Sequence, residues 1–304
     1  MKPTYWSITN FNHFGIIKKR LMIVLKTPIC QKIIRGERCL PCGFDYPITQ
    51  NTFKSNLTLQ VKTLDNEIKQ VEHLDLIGNG SLLDKSQIPF SEVTELFHHL
   101  KKFTNLKSIM IEGRPEFANK EKLLQLKIIL NKDLEYGTGL ESTEESIRNN
   151  ILKKDIKTED YIDFLEKIKK INITPVTYLL FGIPILDKEK SCESTKKSIQ
   201  DVQNYYKKTN QKGRINIYPI FISKGSQIEK MYIKGKYELF KLKDLINILK
   251  SIKEKQKPEQ TSIFIGLDDE KLSDNRYVGF NEEKEKNEIL YYNKYNKLHE
   301  IKKI

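Results

Sequence analysis

Cys30, Cys39 and Cys42 are three of only four cysteines in this chain of 304 residues. Their spacing is C-x8-C-x2-C. Three thiolates suit a four-iron, four-sulfur (4Fe-4S) cluster in which one iron keeps no protein ligand, whereas four cysteines would close the cluster, as in an electron carrier. The open iron can then take a substrate or a cofactor. The same loop could hold zinc, but structural zinc takes four protein ligands and no matching fourth stands nearby. Three unconnected buried thiols are the bland reading. A metal loop is favoured because an apolar, strand-like run at residues 21–25 leads into it, and Gly43 and Phe44 lead out of it.

Alternating elements must position this loop. Residues 21–26, 73–77, 106–111, 134–139, 173–181 and 215–222 read as strands. Residues 51–70, 90–103, 120–130, 143–152, 158–171, 189–207 and 242–254 read as helices, the first from Phe53, Leu57, Val61, Leu64 and Ile68 at helical spacing. Ser91 is the expected cap of the second, and a threonine opens both 143–152 and 158–171. Six strand–helix units imply a parallel sheet with helices on its outer face, and are too few for an eight-unit barrel. The expected fold class is α/β, a partial (β/α)6 TIM-like barrel with short N- and C-terminal extensions. Residues 1–20, with Tyr5, Trp6, Phe11 and Phe14, should pack over a barrel end. Residues 261–267 could add a strand, and residues 281–304 read as a terminal helix. No repeat or low-complexity linker divides the chain, so one domain is expected over 1–304, with a core at about 18–254 and an extension at 255–304.

The net charge is +13, from 53 Lys+Arg against 40 Asp+Glu. That favours an acidic partner, either nucleic acid, an acidic protein or an anionic surface. The lysines are spread along the chain, which a general bias of composition would also produce. Four cysteines, one of them distant, do not make a disulfide framework, and a cluster needs a reducing compartment. The first twenty residues have no apolar core or cleavage site of a signal peptide, and no run of about 18 apolar residues would span a membrane. The expected location is the cytoplasm.

The strand, the cysteine loop and its Cys42-Gly43-Phe44 exit resemble the radical S-adenosylmethionine (SAM) enzymes, in which an aromatic residue commonly follows the last cysteine. The usual spacing there is C-x3-C-x2-C. The longer first gap is similar to that of the Elongator catalytic subunit and of the archaeosine-forming radical SAM enzymes. Ile111-Glu112-Gly113-Arg114-Pro115-Glu116 is similar to the "ESRPE" segment of the archaeosine type, and Gly139-Leu140-Glu141-Ser142 to its "GLES". TYLLFGIP at 177–184 and INIYPIFISKGSQIE at 215–229 resemble the last two strands. The likeness covers about residues 18–249.

The resemblance implies a 4Fe-4S cluster on Cys30, Cys39 and Cys42, with SAM chelating the open iron. One electron then breaks a carbon–sulfur bond of SAM, and a 5′-deoxyadenosyl radical takes a hydrogen from substrate. The implied SAM residues are Phe44, the turn Gly78-Asn79-Gly80-Ser81 for the methionyl amino group, Glu112 and Glu141. Arg114 and Glu116 could instead form an ion pair. Of Arg148, Lys153 and Lys154, one would meet the SAM carboxylate, and Arg148 and Lys153 are taken into the expected set. Asn216 and Pro219 would lie beside adenine, with Tyr218 and Lys224 facing substrate. The implied partners are a flavodoxin- or ferredoxin-type electron donor and, as substrate, tRNA in a nucleoside modification of the archaeosine type. Archaeosine-type enzymes usually continue into a segment with more cysteines. Here only Cys192 lies beyond the loop, expected on a surface turn, so a small molecule or peptide stays open as substrate. A reading of another class is a non-catalytic iron–sulfur or zinc protein that binds RNA or a partner.

Overall fold

The structure is a computed structural model, and it describes residues 2–42, 55–252, 259–267 and 276–298. It begins with a hairpin. Strands β1 (Tyr5–His13) and β2 (Ile16–Val24) pair antiparallel across Phe14 and Gly15. Both turn residues have positive φ, 54° and 88°, the two-residue turn whose twist matches that of the flanking strands. Residues 1–20 therefore do not simply pack over a barrel end. Residues 5–13 form an added edge strand, with Phe11 fully buried, because alternating apolar and polar residues there suit a half-covered strand.

The chain then continues through α1 (Gln31–Ile34), α2 (Leu57–Lys62), α3 (Asp65–Ile68), β3 (His73–Ile77) and α4 (Phe90–Leu100). Next come β4 (Ser108–Glu112), a 3₁₀ turn (Pro115–Phe117), α5 (Lys120–Leu130) and β5 (Asp133–Glu141). A π-helical turn (Ser146–Ile151), α6 (Thr158–Lys169), β6 (Thr174–Phe181), α7 (Lys188–Thr209) and β7 (Gly213–Pro219) follow. The last elements are β8 (Ile222–Ser223), α8 (Gln227–Ile233), α9 (Leu242–Ile252), β9 (Thr261–Ile265), β10 (Arg276–Val278) and α10 (Glu283–Tyr295).

One sheet has eight strands in the order β1-β2-β3-β4-β5-β6-β7-β9, and every pairing after the hairpin is parallel. The six expected parallel strands are joined by β9 as a seventh. The sheet curls until its edges meet, where the Ser262 hydroxyl donates to the Asn12 carbonyl. It is a nearly closed TIM-like barrel. The edge of β9 is also covered by α10, whose Asn293 side chain accepts from Ile265 N–H and donates to Ile265 C=O, each at 2.8 Å.

Several helices form where expected for the expected reason. In α9, Leu242, Leu245, Ile246, Leu249 and Ile252 bury one face at helical spacing. Asn119 and Asp187 cap α5 and α7 by accepting from Lys122 and Lys190 N–H. Ser91 does not cap α4. Pro89 precedes that helix and fixes its entry without a side-chain bond. The helix expected at 143–152 is a shorter π-helical turn, in which Leu152 N–H reaches back five residues to the Ile147 carbonyl. Cys192 lies inside α7, half-buried, rather than on a surface turn, and burial raises its thiol pKa.

Strand alternation sends one side chain in two inward, and the barrel fills in layers. At the strand-entry end is a buried charge network. Arg20 Nε lies 2.6 Å and Arg214 Nη2 2.9 Å from the Asp75 carboxylate, and Arg214 Nη2 lies 3.2 Å from Glu135. His73 bridges Asp75 and Ser108, and His13 pairs with Glu135. Two guanidinium groups thus balance two carboxylates. Burial would raise the Asp75 pKa, but Arg20 and Arg214 outweigh it and hold the carboxyl well below its usual range. Above this network Met22, Val24, Ile77, Met110 and Val176 form an apolar plug. Above the plug the barrel opens into a cavity.

Candidate active site

The cavity measures about 250 Å³ and lies at the strand-exit end, where loops after parallel strands gather. Cys30, Cys39 and Cys42 all line it. Cys30 opens the short helix α1, whose Ile33 N–H bonds back to the Cys30 carbonyl. The other two are held by a tight turn, Cys42 N–H to Cys39 C=O at 3.1 Å, and by Arg38 donating to the Cys42 carbonyl. Between them Leu40 N–H donates to the Leu152 carbonyl, and the Cys39 thiol contacts the Lys153 carbonyl at 3.4 Å. The cysteine loop is thereby docked on the segment that follows β5.

The turn after β3 forms the next wall, and Gly78, Asn79, Gly80 and Ser81 all line the cavity. Thr27, just past β2, accepts from Asn79 N–H at 2.8 Å, and the Asn79 side chain donates back to the Thr27 carbonyl. A Cβ on Gly80 would sit 2.5 Å from Gln87 Oε1 and 3.5 Å from Cys30 Cα. A side chain there would push aside Gln87, whose amide donates to the Ile29 carbonyl at the start of the cysteine loop. Ser81 accepts from Arg114 N–H at 2.9 Å, tying this turn to the loop after β4.

Glu112 and Glu141 line the cavity from the ends of β4 and β5. The pairing of β5 with β6 slips between Gly139 and Glu141, and Glu141 adopts φ 67°. A glutamate held there in the left-handed region is a strained position of the kind found at functional sites. Its carboxylate accepts from Lys154 Nζ at 2.8 Å. Burial alone would lower the Lys154 pKa, but Glu141 and the nearby Cys39 outweigh it and hold the ammonium well above its usual value. Arg114 pairs with Glu116 and also donates to the Lys154 and Asp155 carbonyls at 2.7 and 2.8 Å. It is a clamp on the loop that carries Lys154.

Pro219 and Tyr218 line the cavity, and Lys224 is exposed just after Ser223, which also lines it. Other residues of the expected set are not brought there. Arg148 is 1% exposed and donates to the Ser142, Thr143 and Ile156 carbonyls, so its guanidinium is spent on the backbone of its own loop. The Lys153 side chain is exposed outside the cavity, because its backbone turns at φ 57° and only its carbonyl meets Cys39. Asn216 is fully buried and does not line the cavity. It lies on the inward side of β7 two residues before Tyr218, one layer deeper. Phe44 lies outside the described residues. Lys154, one of the three cations weighed in the sequence but not taken into the expected set, does line the cavity, as do Gly137, Gly139 and Tyr178, to which the sequence assigned no role. The signal for Tyr178 was available in the two-residue alternation Val176, Tyr178, Leu180.

The donor set decides which group these residues suit. The three cysteines are half-buried, form no disulfide and share a cavity with backbone and carboxylate acceptors. One tetrahedral zinc would draw its sulfurs to about 3.8 Å from one another. Among the described residues the three ligand atoms found within 4.8 Å of one another belong instead to His13, His73 and Glu135. The thiols are thus spread more widely than one zinc requires, and they fit a cluster better. The histidine pair is no metal centre either, since Arg20 and Arg214 surround it and would repel a cation.

No protein-family model matches the chain. An uncharacterized protein of Methanocaldococcus jannaschii is 31% identical over 246 residues, covering 78% of this chain and 65% of that protein. The archaeosine synthase subunit beta of Methanosarcina acetivorans is 24% identical over 245 residues, covering 79% of this chain and 68% of its own. The chain thus spans about two thirds of the length of these relatives. Among solved structures, the archaeal Methanocaldococcus infernus Elp3 superposes with a TM-score of 0.56 at 13% identity, over 89% of this chain and 62% of its own. The queuine lyase from Clostridium spiroforme, solved with SAM and queuine, gives 0.51 at 20% identity, over 86% and 98%. Barrel, cysteine loop and relatives make the chain similar to the radical SAM superfamily, whose barrel fold it shares. Within it, the chain resembles the branch of the Elongator catalytic subunit and the archaeosine-forming enzymes.

Proposed function

We propose that the chain is a radical SAM enzyme that modifies a nucleoside of tRNA, in a reaction of the archaeosine type. One observation carries the reading. Three cysteines, the Gly78–Ser81 turn, Glu112 and Glu141 come from four different strand ends and line one cavity. A non-catalytic metal protein has no use for such a pocket beside its metal loop. Cys30, Cys39 and Cys42 would hold a 4Fe-4S cluster, and the residues around them would hold SAM. When bound, that pair supplies a carbon-centred radical able to take hydrogen from an unactivated position.

The chain's own residues orient and enclose. The Gly78–Ser81 turn lines the cavity, where its backbone can bond an amino-acid moiety. The carboxylates of Glu112 and Glu141 can accept from hydroxyl groups. Lys154 offers the cation for a desolvated carboxylate, a role the sequence had left among Arg148, Lys153 and Lys154. Tyr178 and Tyr218, with ring centroids 5.6 Å apart, wall the cavity and keep water from a reactive species. Support for tRNA comes from the archaeosine synthase relatives and the charge of +13. A reducing cytoplasm and a flavodoxin- or ferredoxin-type donor belong to the same proposal. Among the described residues no helix is long and apolar enough to cross a membrane.

The test is anaerobic reconstitution with iron and sulfide of the wild-type chain and four alanine variants. Cys30→Ala, Cys39→Ala and Cys42→Ala should each lose iron and SAM cleavage, while Cys192→Ala keeps both. Iron retained at wild-type level in Cys39→Ala would remove the assignment.

A further inference from the structure

The rim of the cavity carries charge that SAM chemistry does not use. The chain leaves β8 at Ser223, which lines the cavity, and residues 224–236 then read KGSQIEKMYIKGK. This stretch holds four exposed lysines, Lys224, Lys230, Lys234 and Lys236, against one carboxylate, a net charge of +3. That carboxylate, Glu229, is turned back on its own loop and accepts from Gly225 N–H at 2.7 Å. The segment is anchored on one side. Ile228 and Met231 pack with Leu40, Leu152, Ile183 and Ile220, and Ser226 caps α8 by accepting from Glu229 N–H. Elsewhere on its surface the segment exposes Lys230 and Lys234, one helical turn apart.

A cluster of ammonium groups with little opposing charge suits a polynucleotide strand, because the cations neutralise phosphates. The position fits the same partner. A cavity of about 250 Å³ admits no folded macromolecule, so the reacting group of a large RNA arrives as one splayed nucleotide. Its flanking phosphates must then lie on the rim. These lysines follow β8, directly after the strand that carries Tyr218 and Pro219 at the cavity wall.

We propose that residues 224–236 form an RNA-gripping rim, in which Lys224, Lys230, Lys234 and Lys236 bind the phosphates on either side of the nucleotide that enters the cavity. The inference rests on the tRNA reading above and adds where the RNA is held. It is tested by the binding of an unmodified tRNA transcript, followed by fluorescence anisotropy across a salt series. Three proteins are compared. They are the wild-type chain, a rim variant (Lys224→Gln, Lys230→Gln, Lys234→Gln and Lys236→Gln) and a control variant (Lys169→Gln, Lys170→Gln, Lys207→Gln and Lys208→Gln). The control lysines are exposed near the ends of α6 and α7, at the strand-entry end of the barrel.

The rim variant should bind at least about tenfold more weakly near 0.1 M salt, and its log–log salt slope should fall by about 3, while the control stays close to wild type. An unchanged slope in the rim variant, or an equal loss in the control, overturns the inference and leaves the tRNA reading standing. If the wild-type chain itself does not bind the transcript, the tRNA reading fails and the inference falls with it. Slower SAM cleavage by the rim variant with flavodoxin but not with dithionite would then assign these lysines to an acidic protein instead.

Discussion

Gly139→Ala separates the site from the fold that carries it. Gly139 has no positive φ, so alanine suits its backbone. A Cβ at this position would lie 2.5 Å from Glu141 Oε1 and 2.8 Å from Lys154 Nζ. Both are the far ends of flexible side chains, so the chain can yield without moving a strand. What must yield is the Glu141–Lys154 pair, which is about 85% buried and 2.8 Å long. Displacing such a pair, rather than deleting one partner, should forfeit on the order of 1–2 kcal/mol of positioning. That corresponds to SAM affinity weakened by about five- to thirtyfold. The assay is equilibrium binding of SAM to the reconstituted protein, with iron content and thermal unfolding measured on the same sample. Iron should stay at the wild-type level and Tm within a few degrees of it. Gly213→Ala is the counterpart, because its Cβ would sit 2.2 Å from the buried Tyr206 ring. Overpacking there should cost about 1–3 kcal/mol of stability with SAM affinity kept in the folded fraction. SAM affinity within twofold of wild type in Gly139→Ala would refute the placement of SAM beside Glu141.

Two further outcomes follow from buried charge. Burial holds the His73 imidazole at a pKa of about 4, and Arg214 and His13 overcome burial to hold Glu135 at about 2. Both folded-state values lie below the unfolded ones, so each group takes up protons on unfolding. Stability should be full above about pH 6.5 and fall progressively toward pH 4 and then pH 2, by about 3 kcal/mol for each group, as urea unfolding against pH would show. A flat profile between pH 7 and 4 would contradict the neutral, buried His73. Arg148→Met should destabilise the chain by about 3 kcal/mol, since it strips donors from three buried carbonyls, while SAM affinity of the folded protein changes little. A large loss of SAM affinity with Tm unchanged would return Arg148 to the cofactor site.

The parts legible in the sequence were those set by local pattern. His73–Ile77 and Lys120–Leu130 run where periodicity puts them, and the cysteines, both carboxylates and the glycine turn reach one cavity because each follows a strand. What escaped the reading depends on contacts far apart in sequence. The hairpin of β1 was hidden because Phe14-Gly15 is an unusual pair for a two-residue turn. Arg148, Lys153 and Lys154 are near neighbours of similar type, and only the backbone between them decides which enters the cavity. Left-handed turns at Lys153 and Asp155 bring the Lys154 ammonium inward, and Arg114, forty residues earlier, holds that shape by binding the Lys154 carbonyl.

That clamp gives the long C-x8-C gap a physical role. A short loop could place three thiols by its own turns, but eight residues between Cys30 and Cys39 need outside support. The support is the Leu152–Asp155 backbone, which receives Leu40 N–H and the Cys39 thiol from one side and the Arg114 guanidinium from the other. Lys32 reaches the Asp155 carboxylate at 3.7 Å from within the gap itself. Leu40 and Ile228 of α8 also belong to one apolar cluster with Leu152, so the cysteine loop, the loop after β5 and the rim proposed for RNA share a cluster separate from the main core. Elements that share a close-packed cluster shift together rather than singly. An RNA strand settling on α8 would therefore press on the loop that carries Cys39.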